Sequence, residues 1–470
     1  MKAIYFCGII AAMSVGCSSS QNVLSTHEII PEAQNLMPSN RVRYQMKTEG
    51  LPTSGRWKST PKLVDINQDG LLDLASYPRL EHGARVWLAN KQGGWTDASQ
   101  GLEIETSCGG GLELADINKD GKLDIAVADH CNGVFVYLGD KDNTWKNTTK
   151  NMISALAQKI EASNSEGRLN SLKGTEDLAL DDVNEDGFLD IVTVGSDEGG
   201  FTVYLGDGSG KKWHQPKSDG LPSGENPGTD ENRGGWANDV QLHDMNNDKH
   251  LDIVASYYSG PRIWLGDGKG HWQPKAEGLT VTSLGGVFRR LSVADINNDG
   301  LKDLAVANNL NGAEAYLQKP DGTWQGPTDI MPQIKEGAST VALGDLDNDG
   351  HMDAVIGGRL SDKVTSPGGL HIVFGDGKGQ WQQEKDTGLP TEGMEEIWGI
   401  ALADLNGDKR LDIVATSGST STNTFTVHSQ SVSAPVNSLP LGNKNRLQKN
   451  SPQLPHLQVW LSEPIEKKPH

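Results

Sequence analysis

The sequence has little of what most large domains are built from. Its N-terminal apolar stretch, residues 3–15, is too short to cross a bilayer as a permanent helix. Aromatic residues make up only 6% and hydrophobic residues 35% of 470 positions, too few for several large cores in a chain too long for one. An array of small sheets, radial or linear, fits better than a conventional core. There is no basic stripe, so nucleic acid is not an expected partner. A nucleophile elbow, a phosphate-binding loop and an HExxH zinc motif are also missing, which turns the functional reading toward binding.

What is present is a nine-residue loop repeated seven times, with acidic or amide side chains at positions one, three, five and nine and a short apolar run directly after it. The copies are Asp65, Asn67, Asp69 and Asp73; Asp116, Asn118, Asp120 and Asp124; Asp182, Asn184, Asp186 and Asp190; Asp244, Asn246, Asp248 and Asp252; Asp295, Asn297, Asp299 and Asp303; Asp345, Asp347, Asp349 and Asp353; and Asp404, Asn406, Asp408 and Asp412. Oxygen ligands two residues apart on a tight turn converge on one hard cation, and a carboxylate from the start of the next strand closes the shell as Ca²⁺ prefers. Up to seven structural Ca²⁺ ions are therefore the expected cofactors.

An EF-hand is excluded, because position twelve of the first loop is Ser76 rather than Glu and the flanks read as strands. Metal-free Asp/Asn/Gly turns are the competing reading, and an Asp at position nine in all seven copies speaks against it. Lys249 and Lys409 stand at position six, where the other five loops have glycine; a lysine there must tolerate a left-handed backbone or change the turn. The loops hold 22 carboxylates, and without them the net charge of −20 becomes about +2, so the acidity sits in the loops.

At the N-terminus, Lys2 and the apolar residues 3–15 suit a secretory signal that ends Ser14-Val15-Gly16-Cys17 before Ser18, Ser19 and Ser20. That tetrad resembles the bacterial lipobox, which implies removal of residues 1–16 and lipidation of Cys17. Ser14 departs from the usual leucine, and an ordinary signal cut nearby is the alternative. With Ser18 after the cysteine, the resemblance implies a lipid anchor at a bacterial outer membrane, with a secreted or periplasmic protein as the alternative. Residues 17–40 are then a polar tether, 41–463 the folded array and 464–470 a tail. Cys108 and Cys131 lie eight residues before and fifteen after Asp116, on strands that a hairpin through the loop lays antiparallel. In an oxidising compartment a disulfide is the natural outcome, and two buried thiols are the alternative.

Around each loop the parts follow one order: a short strand in, an apolar strand out, an alternating third strand and an outer segment that starts near a Trp. Third strands are expected at 85–88, 134–138, 201–205, 262–265, 313–317, 370–374 and 457–461, again seven. Trp95, Trp145, Trp213, Trp272, Trp324 and Trp381 read as packing residues between repeats. The seventh repeat ends without such a segment, while residues 44–51 ahead of the first loop read like 272–279. The N-terminal segment is thus expected to supply the missing outer strand, an exchange that makes sense only in a closed ring. Seven four-stranded sheets with these loops resemble the bacterial FG-GAP or VCBS repeat family, whose propellers also form the head of integrin α subunits. The resemblance implies an all-β seven-bladed propeller with Ca²⁺ on one face; literal Phe-Gly and Gly-Ala-Pro boxes are absent.

Function is then expected on the face opposite the loops. Residues just before each first strand and after each second strand include Trp57, Tyr77, Arg79, Asp129, His130, Asp197, Glu198, Trp236, Asn238, Tyr257, Tyr258, Arg289, Arg290, Arg359, Glu396 and Trp398. Of these, Trp57, Tyr77, Trp236, Arg359 and Trp398 are the ligand-binding candidates for a glycan or protein partner, with ordinary pore-rim packing as the bland reading. A polysaccharide lyase is the enzymatic alternative, with Tyr257 or Tyr258 as acid/base, His130 as base and Arg289 or Arg290 neutralising a uronate. Helical spacing at 152–162 and polar insertions at 222–235 and 417–455 point to the same side or to junctions between repeats.

Overall fold

A computed structural model describes residues 41–79, 83–104, 107–149, 174–195, 200–216, 219–222, 237–280, 288–310, 312–330, 337–358, 368–418 and 457–463, all within the unit 38–470. These residues hold 28 strands and no helix. The 152–162 segment, and all but the edges of 222–235 and 417–455, lie outside the described residues.

The strands form seven four-stranded antiparallel sheets. Their first strands are Lys62–Val64, Leu112–Ala115, Thr175–Asp181, Ala237–His243, Phe288–Ala294, Ala338–Gly344 and Ile397–Ala403. These strands touch one another in cyclic order, the last against the first. They are the inner strands of a seven-bladed β-propeller, closed so that no blade is left as an open end.

The core is divided accordingly. Seven apolar clusters fill the seven gaps between neighbouring blades, and each draws residues from two blades. The gap between the last and first blades holds Val414, Leu457 and Val459 against Trp57, Leu74 and Trp87. Second strands such as Asp124–Asp129 are buried at every position, because both faces of a blade pack. This explains why they read as continuous apolar runs instead of alternating ones.

A second device joins consecutive blades at their outer edges. The first residue of an outer strand donates its backbone N–H to the carbonyl just before a glycine on the preceding blade. Trp95 bonds Glu49, Trp145 bonds Gln100, Trp272 bonds Asp219 and Trp324 bonds Glu277, at 3.0–3.1 Å. The glycines are left-handed, and a Cβ on Gly278 (φ +94) would meet Trp324 O at 2.4 Å. In the last blade the outer strand is Tyr44–Met46, paired as Tyr44↔Ser462 and Met46↔Trp460 on Leu457–Ser462. Tyr44 takes the place that a tryptophan holds in the other blades.

Candidate functional site

The loop face is built the same way seven times. In the first loop both Asp65 oxygens face inward, Oδ1 accepting from Asp69 N at 3.0 Å and Oδ2 from Gly70 N at 2.8 Å. Asn67 Oδ1 accepts from Asp69 N at 3.0 Å. Position four is left-handed in every copy, from Gln68 to Gly407, and position six likewise. Lys249 and Lys409 follow the rule at φ 76 and 67 and keep the amide bonds to Asp244 and Asp404 at 2.9 and 2.8 Å. The lysines therefore tolerate the strained backbone, and all seven loops share one conformation.

The ninth-position aspartates do more than the sequence indicated. Each is fully buried, and each ties its loop to the blade's third strand: Asp73 Oδ2 accepts from Ile66 N at 2.9 Å and its Oδ1 from Ala89 N at 2.8 Å. Burial pushes Asp124, Asp190, Asp252 and Asp303 up to about 6 and Asp353 up to about 7, against the lowering pull of these N–H donors. A carboxylate oxygen has a second lone pair, so these groups still have capacity for a cation. In the loop with four aspartates, carboxylate oxygens of Asp345, Asp347 and Asp353 lie within 4.8 Å of one another. Three hard oxygen donors that close, two of them partly and one fully buried, fit Ca²⁺ better than water alone. That loop's extra carboxylate, Asp347, meets an extra cation: Arg41 contacts Asp347 at 2.5 Å and Asp349 at 2.8 Å and lies over Phe374.

The axis is closed by charge. Arg290, on the inner strand of blade five, bonds Asp177 of blade three at 3.0 Å, Asp239 of blade four at 3.2 Å and Lys58 O ahead of blade one at 3.4 Å. A guanidinium that reaches three other blades has to lie in the middle of the ring. All three charged side chains are buried. Burial, and then the Asp239 charge, push Asp177 up against the lowering effect of Arg290.

Above this floor, on the face away from the loops, the inner strands of blades three to seven each carry one extra residue that breaks the register: Glu176, Asn238, one of the Arg289-Arg290 pair, Ser339 and Trp398. Bulges of this kind re-aim side chains next to sites. Glu176 is held by Lys58 and by His130 Nδ1 at 2.7 Å. Burial would raise its carboxyl, but Lys58 and His130 outweigh that and hold it below the usual range. Arg289 Nη1 donates to Tyr258 Oη at 3.1 Å and to Asn238 Oδ1 at 3.5 Å, with its guanidinium 4.8 Å above the Tyr258 ring. Ser339 Oγ donates to buried Glu396 at 2.8 Å. The half-buried Trp398 donates its indole N–H to Gly418 O at 3.0 Å.

The other sequence-level candidates are placed differently. Trp57 is buried edge-on to Trp87, with 5.2 Å between ring centroids, and Tyr77 is buried with its hydroxyl on Asp129. Asp129 also gathers Cys108 N, Cys131 N and Asn132 N at 2.8–2.9 Å, and Cys108 and Cys131 form a disulfide beside it. Tyr257 packs with Phe201 and Trp264 in the gap between blades three and four, away from Tyr258. These residues sit where strand alternation turns them inward, a distinction that position near a strand end does not make. Asp197, Glu198, Trp236 and Arg359 lie outside the described residues. Lys58, Glu176, Asp177 and Asp239 were not singled out from sequence. The available signal was a charge five to seven residues ahead of a loop's first Asp, which recurs at Lys58, Glu176, Asp177, Asp239, Arg289 and Arg290.

Fold and loops together define a repeat propeller with one Asp-rich loop in every blade. The FG-GAP-like repeat description matches residues 65–127, 244–306, 295–356 and 364–415. The chain thus carries FG-GAP-like repeats, and the integrin-α-like propeller architecture fits it. Among curated proteins none matches its sequence. Solved structures with a similar backbone include an Agrocybe aegerita lectin that recognises non-reducing terminal N-acetylglucosamine, 15% identical over 76% of this chain and 95% of that one, with a TM-score of 0.46. The BP39L lectin of Burkholderia pseudomallei is 12% identical over 78% and 94%, TM-score 0.48. BBS1N, solved in complex with ARL6DN, is 9% identical over 81% and 95%, TM-score 0.48.

Proposed function

We propose that the protein is a calcium-stabilised surface propeller that binds a glycan or protein partner in the cup opposite its loops and is held at the outer membrane by lipid on Cys17. The closed axis carries the binding reading: Arg290 with Asp177 and Asp239 gives the cup a floor, so the ring is a receptacle and not a conduit. A lyase would need Tyr258 or His130 free to take a proton. His130 is engaged by Glu176, and burial raises the Tyr258 phenol, the wrong direction for a base at neutral pH. A glycan array probed with the full chain and with its Trp398→Ala variant tests this. Binding that the substitution abolishes supports the reading, whereas binding indifferent to Trp398, or conversion of a polysaccharide to unsaturated products, contradicts it.

Calcium is supported by the shared loop conformation and by the buried ninth-position carboxylates, which a cation would keep ionised. The residues that would hold it are those of positions one, three, five and nine in each loop, and its contribution there is to bind strand ends together. For the anchor, metabolic labelling with palmitate should mark the wild-type chain and fail on Cys17→Ala; equal labelling of both would remove lipid from the account.

A further inference from the structure

Counting six residues back from the first aspartate of each loop gives one residue per blade: Ser59, Gly110, Glu176, Asn238, Arg289, Ser339 and Trp398. In blades three to seven it lies at the bulge, and the seven equivalent positions form one ring just above the floor of the cup. Five of them are buried, and only Arg289 and Trp398 remain partly open to solvent. Among the residues of this ring, a ligand that enters along the axis therefore meets one guanidinium and one indole.

Arg289 differs from Lys58 and Arg290, the two buried cations of the floor. Lys58 is paired with Glu176, and Arg290 with Asp177 and Asp239. Arg289 has neutral partners, the Tyr258 hydroxyl and the Asn238 carbonyl oxygen, and its Nε is buried without an acceptor. Two carboxylates, Glu176 and Glu396, bear on Tyr258, yet each has its own donor, Lys58 with His130 for the first and Ser339 for the second. A half-buried guanidinium held by neutral partners alone keeps its charge uncompensated and is matched by a planar oxyanion. A flat indole two blades away suits the C–H face of a compact ring.

We infer that Arg289 and Trp398 seat a carboxylate-bearing sugar ring, a uronate unit of an acidic polysaccharide. The inference rests on the binding reading above and names the ligand class for that cup. An acidic protein is the poorer fit, because its carboxylates come without the flat C–H ring face that the Trp398 indole suits.

Calorimetric titration of the full chain with an oligogalacturonate, its methyl ester and an oligoglutamate tests it. The account expects saturable binding of the oligogalacturonate, weakened tenfold or more by esterification, by Arg289→Gln and by Trp398→Ala, and no comparable binding of oligoglutamate. Equal affinity for acid and ester, or oligoglutamate binding as tight, overturns the uronate assignment. The ester comparison needs no variant, so it stands even if Arg289→Gln fails to fold. Loss of all acid binding beside a neutral glycan that Trp398→Ala abolishes would sink the uronate and leave the binding cup; no glycan bound at all would sink both.

Discussion

The Tyr44 amide donates to Thr387 O at 2.8 Å, and a Cβ built on Gly388 would stand 2.3 Å from Tyr44 O. Through this contact the N-terminal strand closes against blade six by the same glycine clamp that Trp95, Trp145, Trp272 and Trp324 use elsewhere. Gly388 is left-handed at φ +84, so a side chain there meets both strain and overlap. Gly388→Ala and Gly278→Ala should each cost about 2 kcal/mol or more in chemical denaturation. A loss below a few tenths would show that the clamp is slack.

Arg290 neutralises two buried carboxylates at once, and its removal leaves them unpaired. Arg290→Met should destabilise by about 3–5 kcal/mol, and adding Asp177→Asn should restore part of that. The measurement is a denaturation cycle on the four proteins; additive losses would mean that the two residues do not interact.

Lys249 and Lys409 occupy a backbone region that glycine takes freely, and five sister loops have glycine there. Lys249→Gly and Lys409→Gly should each raise stability by about 0.5–1 kcal/mol. Equal or lower melting temperatures would show that the lysine side chains contribute more than their backbone strain costs.

His371 is buried with no hydrogen-bond partner on either ring nitrogen, and burial lowers its pKa to about 4. Below the ordinary value of 6.5 the unfolded chain takes up a proton that the folded chain refuses. Its contribution to stability is therefore complete above that pH and is lost progressively as pH falls toward about 4, on the order of 1–3 kcal/mol. His371→Leu should flatten the melting temperature between pH 6.5 and 4 relative to wild type. Parallel curves would exclude His371 as the source.

The fold could be read in the sequence because its devices are periodic and local. The Asp69 and Asp73 spacing, the third strand at 134–138 and the likeness of residues 44–51 to 272–279 each restate one blade. The cup was less legible, because its geometry depends on pairings between blades. No local pattern links Arg290 to Asp177, 113 positions away, or tells that Tyr77 and Tyr257 turn into the core while Tyr258 turns out. The bulge that moves Arg289 and Trp398 into view is a register effect between strands, visible only once Phe288 is seen opposite Asn308 and Ile397 opposite Ser417.

On the proposed reading, a cation at each loop binds the strand ends of its blade together. Bound metal counted by elemental analysis, with melting followed before and after a chelator, addresses it. The account predicts several Ca²⁺ per chain, up to the seven loops, and a marked fall in melting temperature on chelation, since a ligand at 100 times its Kd adds about 2.7 kcal/mol per site. It also predicts that Asp299→Ala costs much less once chelator is present, only the exposed bonds from Asn297 Nδ2 and Leu301 N then being lost, whereas Asp303→Ala still destabilises through its lost buried bonds from Ile296 N and Gln318 N. A chain with no bound Ca²⁺ that melts identically with and without chelator would contradict it.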